Sequence, residues 1–300
     1  MSEISTVAIA GASGTLGPHV LKALVDAGFQ VTVLTRGKPG TYDSSIKVLE
    51  VDYTSLKSLT AALKGIDAVV STVGGEAIES QIILIDAAVA AGVKRFIPSE
   101  FGSVSTNPKL EGFPLYSSMA KIRKHLQQKA AAGELTWTVL VCGAFLDFLL
   151  NTPILLNFAN HSVTLMDEGD NRISTTSLPK VGTAIAAILK NFDATKDKIV
   201  HTSEAILTQN QLLEFAKEIN SEIKWEVSKV QSSVLLTESL EQFGVGDHSM
   251  PVIMKLLKAT ALAGDTYGGA YDVTDNKLLG IKELTAEELK KLVAEKLTEK

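Results

Sequence analysis

The first half of the chain alternates short apolar, β-branched segments with longer amphipathic ones. The apolar segments fall near residues 6–10, 30–35, 47–51, 68–72, 95–98 and 137–142, and helical patterns fall near residues 16–27, 55–63, 80–91 and 117–132. This alternation is typical of βαβ units on a parallel sheet, and strands without polar alternation indicate a sheet covered on both faces. The sequence therefore predicts an α/β fold with a doubly wound, Rossmann-type parallel sheet.

The second half is organised differently, because turn-forming groups such as Asn151-Thr152-Pro153 and Gly169-Asp170-Asn171 interrupt it. We expect residues 1–148 to form the Rossmann domain and residues 149–300 a smaller α/β region. An extended segment at residues 198–202 predicts that the chain near residues 180–205 returns to the first domain, so that the two regions interleave. Later helical patterns fall near residues 181–190, 209–219, 231–243, 250–262 and 285–298.

Composition narrows the classes of partner. The net charge is −5, from 29 basic and 34 acidic residues without long runs of either sign, so we expect no nucleic acid and no membrane surface as partner, but a small molecule. The single cysteine, Cys142, excludes an intramolecular disulfide, and no Cys and His residues have metal-ligand spacing, which predicts no metal site. The absence of a basic leader or an 18-residue apolar run predicts a cytoplasmic protein. The oligomeric state stays open.

A glycine-rich turn follows the first predicted strand directly and opens the first predicted helix. Gly11 permits the tight turn, Gly14 lets backbone approach a pyrophosphate, and Gly17 lets the helix pack on the sheet. The free N–H groups of a helix N-terminus favour an anion at this place. The turn therefore predicts a dinucleotide site formed by Gly11, Ser13, Gly14, Thr15, Leu16 and Gly17.

The end of the second predicted strand selects between the two nicotinamide cofactors. NAD sites place a carboxylate here for the ribose hydroxyls, whereas this chain has Thr35-Arg36 followed by Lys38. A guanidinium holds a 2′-phosphate with charge-assisted hydrogen bonds, so we predict NADPH as the cofactor, with Arg36 and Lys38 near the phosphate. The alternative is that Arg36 is a solvated loop cation.

Two later strand ends fit the same ligand. Asp52 and Tyr53 follow the third strand and are predicted to reach the adenine. Thr72, Val73 and Gly74 follow the fourth and are predicted to line the path to the nicotinamide ribose. Both groups lie at carboxyl ends of strands, where a sheet of this type binds its ligands.

Two further segments carry a family resemblance. The fifth strand ends in Pro98-Ser99-Glu100-Phe101-Gly102, and a helix that opens with Lys121-Ile122-Arg123 follows. Together with the glycine turn and Thr35-Arg36, these segments resemble the isoflavone reductase branch of the NmrA-like atypical short-chain dehydrogenases. The resemblance covers the first 145 residues well, and thins afterwards to Tyr271-Asp272-Val273 and residues 284–289.

The resemblance implies roles for residues near the nicotinamide. It places a lysine at Lys121 as general acid or base and as a cofactor contact, and a lysine serves this role when it is partly desolvated or near another cation. Ser99 and Phe101 would shape the nicotinamide site. Cys142, Gly143 and Phe145 match a place where relatives lay backbone and an aromatic ring near the nicotinamide, although Phe145 could equally be a core residue and the Cys142 thiol is predicted to be buried and inert.

The spacing around Tyr116 argues against a second acid. Short-chain dehydrogenases use Tyr-x-x-x-Lys, but here five positions separate Tyr116 from Lys121. One residue of slip rotates a helical side chain by about 100°, so the two would not share a face as that pair requires. We therefore assign no catalytic role to Tyr116.

The resemblance implies an NADPH-dependent reductase of a small aromatic or conjugated molecule, such as a ketone, enone, imine or quinone methide, in secondary metabolism. Residues 149–300 would then bind the substrate. Two alternatives stay open: a non-catalytic NADP(H)-sensing regulator of the NmrA-like type, and an isomerase that retains its cofactor.

Overall fold

The structure is a computed structural model that describes residues 4–37, 42–44 and 46–298. Strands and helices alternate through its first half, as the sequence predicts. The strands are β1 (Thr6–Ala10), β2 (Gln30–Thr35), β3 (Lys47–Glu50), β4 (Ala68–Ser71), β5 (Arg95–Ile97), β6 (Thr136–Val141), β7 (Ala144–Phe145), β8 (Ser162–Met166), β9 (Ile173–Thr176), β10 (Lys198–His201), β11 (Ala205–Leu207) and β12 (Glu226–Val230).

Nine of the helices in the described residues agree with the periodic segments of the sequence to within a few residues, whereas the short α5 and α10 were not predicted. They are α1 (Gly17–Asp26), α2 (Leu56–Ala62), α3 (Gln81–Ala91), α4 (Ser117–Ala131), α5 (Leu146–Asn151), α6 (Leu178–Lys190), α7 (Gln209–Ile219), α8 (Ser232–Gly244), α9 (Met250–Ala261), α10 (Asn276–Leu279) and α11 (Ala286–Thr298). Short 3₁₀ helices lie at Gly75–Ile78, Pro108–Leu110 and Gly264–Tyr267.

The main sheet has seven parallel strands in the order β10-β6-β5-β4-β1-β2-β3. Its central strands are buried on both faces because helices cover both: α1 and α6 pack on one side, and α2, α3 and α4 on the other. The direction of the strand order changes between β1 and β4, which creates the crevice that such sheets use for ligands. The predicted Rossmann-type α/β fold is confirmed.

Close packing of α1 against α6 depends on a glycine. A Cβ at Gly182 in α6 would lie 2.6 Å from the carbonyl oxygen of His19 in α1, so only glycine allows this approach. Helix α6 comes from the second half of the chain, and β10 follows it and pairs with β6. The chain beyond residue 148 therefore contributes one helix and one edge strand to the main sheet; the domain boundary at residue 148 itself stays a prediction.

Two small sheets lie outside the main one, and the sequence pattern does not predict their strands. One has the order β11-β9-β7 and the other pairs β12 with β8. Three of these strands lack a pattern that sequence analysis could detect. Strand β7 has only two residues, β9 is buried although most of its side chains are polar, and β12 is almost wholly exposed. Without an alternation of apolar and polar residues, a strand has no local signal. A core of α5, α7 and α11 side chains supports this region.

Candidate active site

A crevice of about 660 Å³ lies at the carboxyl ends of β1, β2 and β4. Eight of the predicted cofactor residues line it, and they come from four separate turns that only the parallel sheet brings together. These residues are Gly11, Ser13, Gly14, Arg36, Tyr53, Thr72, Val73 and Gly74. The fold thus assembles the first part of the predicted site, from the glycine turn to the end of β4.

The glycine turn is fixed by close contacts with the backbone of neighbouring segments. Gly11 has a φ of +85°, and a Cβ there would lie 2.7 Å from the carbonyl carbon of Thr72. A Cβ on Gly17 would lie 2.2 Å from the carbonyl oxygen of Gly11, whereas a Cβ on Gly14 would make only ordinary contacts, 3.4 Å from the Gly11 and 3.8 Å from the Thr72 carbonyl oxygen. Gly11 and Gly17 therefore serve the turn, and Gly14 leaves room for a ligand to approach the backbone.

The three other predicted residues of this turn lie outside the described walls of the crevice. Thr15 is exposed, Leu16 packs its side chain into the core, and Gly17 is buried. Leu16 and Gly17 could contact an anion only through their backbone N–H groups at the start of α1, since the Leu16 side chain lies in the core and Gly17 has none. Their part in cofactor binding stays a prediction.

Arg36 stands at the end of β2, where its exposed side chain borders the crevice. Tyr53 lies opposite, half-buried, and its hydroxyl donates a hydrogen bond to the Leu34 carbonyl oxygen over 3.2 Å. Burial raises the pKa of Tyr53 to about 12, although the nearby Arg36 charge opposes this shift. The phenol therefore stays neutral beside the guanidinium, which leaves Arg36 free to bind an anion. Lys38 lies outside the described residues.

Asp52 is turned toward its own loop. Its Oδ1 accepts hydrogen bonds from the Thr54 hydroxyl at 2.7 Å and from the Thr54 backbone N–H at 2.8 Å. These bonds hold the pKa of Asp52 below its usual range. Asp52 shapes the turn after β3, while Tyr53 and Thr54 line the crevice.

The end of β4 is tied to its neighbours on both sides. The Thr72 hydroxyl donates to the Ala10 carbonyl oxygen at 2.9 Å, and the Ser99 hydroxyl donates to the Val73 carbonyl oxygen at 2.6 Å. The Ser99 backbone N–H donates to Gln81 Oε1 at 2.7 Å. Ser99 is buried and outside the crevice walls, so its evident contribution is to align the ends of β4 and β5.

The ends of β5 and β6 meet in the interior. Cys142 is fully buried with its Sγ 3.2 Å from the Phe101 carbonyl oxygen, and burial raises the pKa of its thiol. Phe101 is buried and Phe145 half-buried in the same core cluster. Gly143 has a φ of +72°, and a Cβ there would lie 2.1 Å from the Ser174 carbonyl oxygen. The Cys142 thiol is accordingly inert, and contacts of these four residues with a nicotinamide stay predictions.

Glu100 and Arg123 form a buried ion pair beside this region. Arg123 also donates to the Ser105 carbonyl oxygen at 3.2 Å and to Glu111 Oε1 at 3.1 Å. Burial raises the pKa of Glu100 to about 7, and the Arg123 charge opposes the shift. The pair fastens α4 to the segment after β5, which is a structural function.

Comparison with known proteins places this architecture. The model of the NmrA-like family matches residues 3–298. Oxidoreductase aprR of Aspergillus flavus is 31% identical over 94% of this chain and 96% of its own, and oxidoreductase poxI of Penicillium oxalicum is 29% identical over 93% and 91%. The chain belongs to the NmrA-like family.

Solved structures agree with this NmrA-like assignment in fold. An isoflavone reductase superimposes with a TM-score of 0.76 at 22% identity, covering 95% of this chain and 98% of its own. The leucoanthocyanidin reductase–NADPH complex from Vitis vinifera superimposes with a TM-score of 0.75 at 21% identity, covering 98% and 100%. The predicted resemblance is confirmed over nearly the whole chain, beyond the first 145 residues in which the sequence carries it.

Lys121 of this NmrA-like protein lies on the exposed face of α4, together with Lys124 and Gln128. The opposite face of the helix buries Ile122 and Leu126. The exposed Lys121 side chain makes no hydrogen bond or ion pair with the described residues. The catalytic role of Lys121 therefore rests on the resemblance.

Tyr116 is buried, and its hydroxyl lies 2.6 Å from Thr260 Oγ1 in α9. Burial raises the pKa of Tyr116 to about 12, with Thr260 opposing. A phenol engaged in this way has no access to the crevice, which agrees with the absence of a Tyr-x-x-x-Lys pair.

Some residues of the site escape sequence reasoning. Tyr42 and Ser80 line the crevice, although neither directly follows a strand. The wall residues that the sequence did not predict are Ala12, Val33, Leu34, Thr35, Gly37, Tyr42, Thr54, Ala77 and Ser80. Tyr271 was noted only as part of a closing pattern, yet it contacts Gly143. Among these unpredicted wall residues, Ser80 has the one sequence signal that could have located it, since serine is favoured at helix starts.

Within residues 4–37, 42–44 and 46–298, no group of three or more His, Cys, Asp or Glu side chains could hold a metal ion. No helix in these ranges is long and apolar enough to cross a bilayer.

Proposed function

We propose that this NmrA-like protein is an NADPH-dependent reductase of a small aromatic or conjugated organic substrate. The observation that carries the proposal is the position of Arg36 at the end of β2, bordering a crevice that the glycine turn opens. A carboxylate at this strand end would repel a 2′-phosphate, whereas a guanidinium binds it with two charge-assisted hydrogen bonds.

The residues of the crevice fit a dinucleotide. Gly14 is exposed in the crevice wall and has no side chain to keep a ligand from the backbone, the N-terminus of α1 offers N–H groups to a pyrophosphate, and Arg36 with Tyr53 borders the far end. When bound, NADPH would supply a hydride to an electron-poor carbon of the substrate. The chain would bind and orient both molecules and provide a proton to the oxygen or nitrogen that gains electron density.

Names of relatives support the proposal. Both fungal relatives are called oxidoreductases, and a phenylcoumaran benzylic ether reductase of Pinus taeda is 26% identical over 61% of this chain and 64% of its own. A relative that is named as a reductase of a benzylic ether favours an aromatic or conjugated substrate such as a ketone, enone, imine or quinone methide.

Lys121 is proposed as the proton donor because the resemblance assigns it that role. Its exposed position on α4 means that bound substrate and cofactor, rather than the protein alone, would have to remove water from its amine. The cytoplasmic location and the small-molecule partner predicted from the sequence belong to the same proposal.

A binding titration tests the proposal. Purified wild-type protein, Arg36→Ala and a control Lys198→Ala would be titrated with NADPH and NADH while nicotinamide fluorescence is followed; Lys198 is exposed and begins β10 at the opposite edge of the sheet. We expect the wild type and control to prefer NADPH, and Arg36→Ala to bind NADPH about 10- to 100-fold more weakly with little change for NADH.

Two other results would count against the proposal. Absence of binding of both nucleotides by the wild type would remove the reductase and the NADP(H) sensor together. Tight NADPH binding without NADPH oxidation across a broad screen of carbonyls, enones, imines and quinone methides would favour the sensor, and product formation without net NADPH consumption would favour an isomerase.

A further inference from the structure

Tyr271 connects segments that are far apart in the chain. Its hydroxyl accepts a hydrogen bond from the Gly143 backbone N–H at 3.1 Å and donates one to the Ser103 carbonyl oxygen at 2.7 Å. Gly143 follows β6, and Ser103 belongs to the segment that follows β5. One phenol therefore joins the backbones beyond two adjacent strands of the main sheet.

The backbone and the ring of Tyr271 also make contacts with neighbouring strands. The Tyr271 backbone N–H donates to Ser174 Oγ in β9 at 2.9 Å. The ring meets the His201 ring edge-on, with centroids 5.0 Å apart, at the end of β10. Tyr271 is only 8% exposed. It thus contacts the segments that follow β5 and β6, the end of β10, and strand β9 of a second, separate sheet.

The Tyr271 hydrogen bonds matter because of where the ends of β5 and β6 lie in the main sheet. The crevice runs from Arg36 at the end of β2 across β1 to Val73 and Gly74 beyond β4. The next strands in the same direction are β5 and β6. A dinucleotide with its 2′-phosphate at Arg36 and its pyrophosphate at the glycine turn extends toward these strands, so its nicotinamide end would lie near the backbone that Tyr271 joins.

We propose that Tyr271 is a positioning residue, which holds the backbone after β5 and β6 in the arrangement that receives the nicotinamide end of the cofactor. This inference rests on the proposed NADPH site. Tyr271 acts through Gly143 and Ser103, whose positions depend on its hydroxyl. Loss of this hydroxyl leaves a buried N–H and a buried carbonyl without a partner, so both backbone segments gain freedom to move.

The protonation state of the hydroxyl suits this function. Burial raises the pKa of Tyr271 well above its ordinary value, while the bond from Gly143 opposes the shift. The phenol stays neutral at physiological pH and always has a proton for the Ser103 carbonyl oxygen. The connection between the two backbone segments is therefore insensitive to pH in the neutral range.

The proposal is tested by comparing the binding of the whole cofactor with the binding of a fragment that lacks the nicotinamide. Wild type, Tyr271→Phe and a control Tyr116→Phe would be titrated with NADPH and with 2′,5′-ADP, which lacks the nicotinamide half. Tyr116 is the matched control because its buried hydroxyl bonds to Thr260 in α9, away from β5 and β6. Far-UV circular dichroism checks that each variant is folded.

We expect Tyr271→Phe to bind NADPH about two- to tenfold more weakly, as one lost hydrogen bond predicts, and 2′,5′-ADP as the wild type does. Tyr116→Phe should match the wild type with both ligands. Equal weakening of both ligands in Tyr271→Phe would reduce Tyr271 to a general stabiliser and overturn the proposal, as would unchanged binding of both.

Two further results are informative. If Tyr271→Phe does not fold, Ser174→Ala removes the acceptor of the Tyr271 backbone N–H and should give the same selective loss for NADPH; an equal loss for both ligands would again overturn the proposal. If the wild type binds neither ligand, the proposed function fails and this inference fails with it, which differs from failure in Tyr271→Phe alone.

Discussion

Arg123 in α4 and Glu100 after β5 form an ion pair in which both side chains are buried, 6% and 2% exposed. The pair joins a helix on one face of the sheet to the segment that leads from β5 toward the predicted nicotinamide site. Buried pairs of this kind add little net stability, but removal of one partner leaves the other buried without its ion pair and hydrogen bonds. The integrity of α4 at this end of the site therefore depends on both residues.

Removal of the cation alone should be costly. We expect Arg123→Met to lower the free energy of unfolding by about 3–5 kcal/mol, because it leaves Glu100 buried without its partner. The double variant Glu100→Leu with Arg123→Met should be less destabilised than Arg123→Met. Urea unfolding measures both, with Lys124→Met on the exposed face of α4 as control, expected within about 0.5 kcal/mol of the wild type. A small loss in Arg123→Met would show that the interior tolerates Glu100 without its partner.

The glycine turn gives a second prediction. A Cβ at Gly17 would lie 2.2 Å from the Gly11 carbonyl oxygen, so Gly17→Ala must displace the turn or the start of α1. We expect loss of NADPH binding and a destabilisation of about 1–3 kcal/mol, as for other overpacked sites. Gly112→Ala is the control, since a Cβ there meets nothing within 4 Å. Thermal unfolding and fluorescence titration measure the two effects; wild-type binding by Gly17→Ala would contradict the contact.

Asp67 predicts a dependence of stability on pH. Its carboxylate accepts hydrogen bonds from the backbone N–H groups of Ser5 and Thr6 and pairs with Lys94 at 2.9 Å. Burial alone would raise the pKa of Asp67, but these interactions outweigh it and lower the pKa from 3.8 to about 2. The carboxylate thus joins the start of β1 to the residue just before β4.

Because the folded-state pKa of Asp67 is depressed, its contribution is present above the unfolded value near 4 and is lost as the pH falls toward 2. The shift corresponds to about 2 kcal/mol, which Asp67→Asn should remove at pH 7. Unfolding of this variant should also depend less on pH between about 4 and about 2 than that of the wild type. Asp26→Asn, in an exposed pair with Lys22, serves as control. Equal acid sensitivity of Asp67→Asn and the wild type would contradict the assignment.

The proton-donor function proposed for Lys121 can be tested by comparison with a neighbouring lysine on the same face of α4. If Lys121 donates the proton, Lys121→Ala should lower kcat for a reducible substrate by about 100-fold or more while NADPH affinity changes little. Lys124 lies three positions further along the chain on the same exposed face of α4, and Lys124→Ala should retain kcat. Steady-state NADPH oxidation measures both variants. An unchanged kcat in Lys121→Ala would make this lysine an ordinary surface residue and move the search for the proton donor elsewhere.

Much of the fold is predictable from the sequence because its signals are local. The apolar runs of β1 and β2, the amphipathic pattern of α1 and the glycines between them depend on side-chain periodicity and backbone sterics over a few residues. The same holds for Arg36, which is identified by its place at the end of a strand. These features determine the fold class, the family and the position of the crevice predicted to bind a dinucleotide.

The tertiary structure decided what depends on residues distant in the chain. The sequence places Lys121 on α4, but the packing of Ile122 and Leu126 sets the rotation of the helix and turns Lys121 outward. Tyr271 reaches Gly143 across 128 positions, a separation at which no periodic pattern gives a signal. The exposed strand β12 likewise forms only because β8 offers it a partner. Such contacts arise when whole elements pack against each other, so the sequence alone determines which residues are available, and the packed fold determines which of them meet.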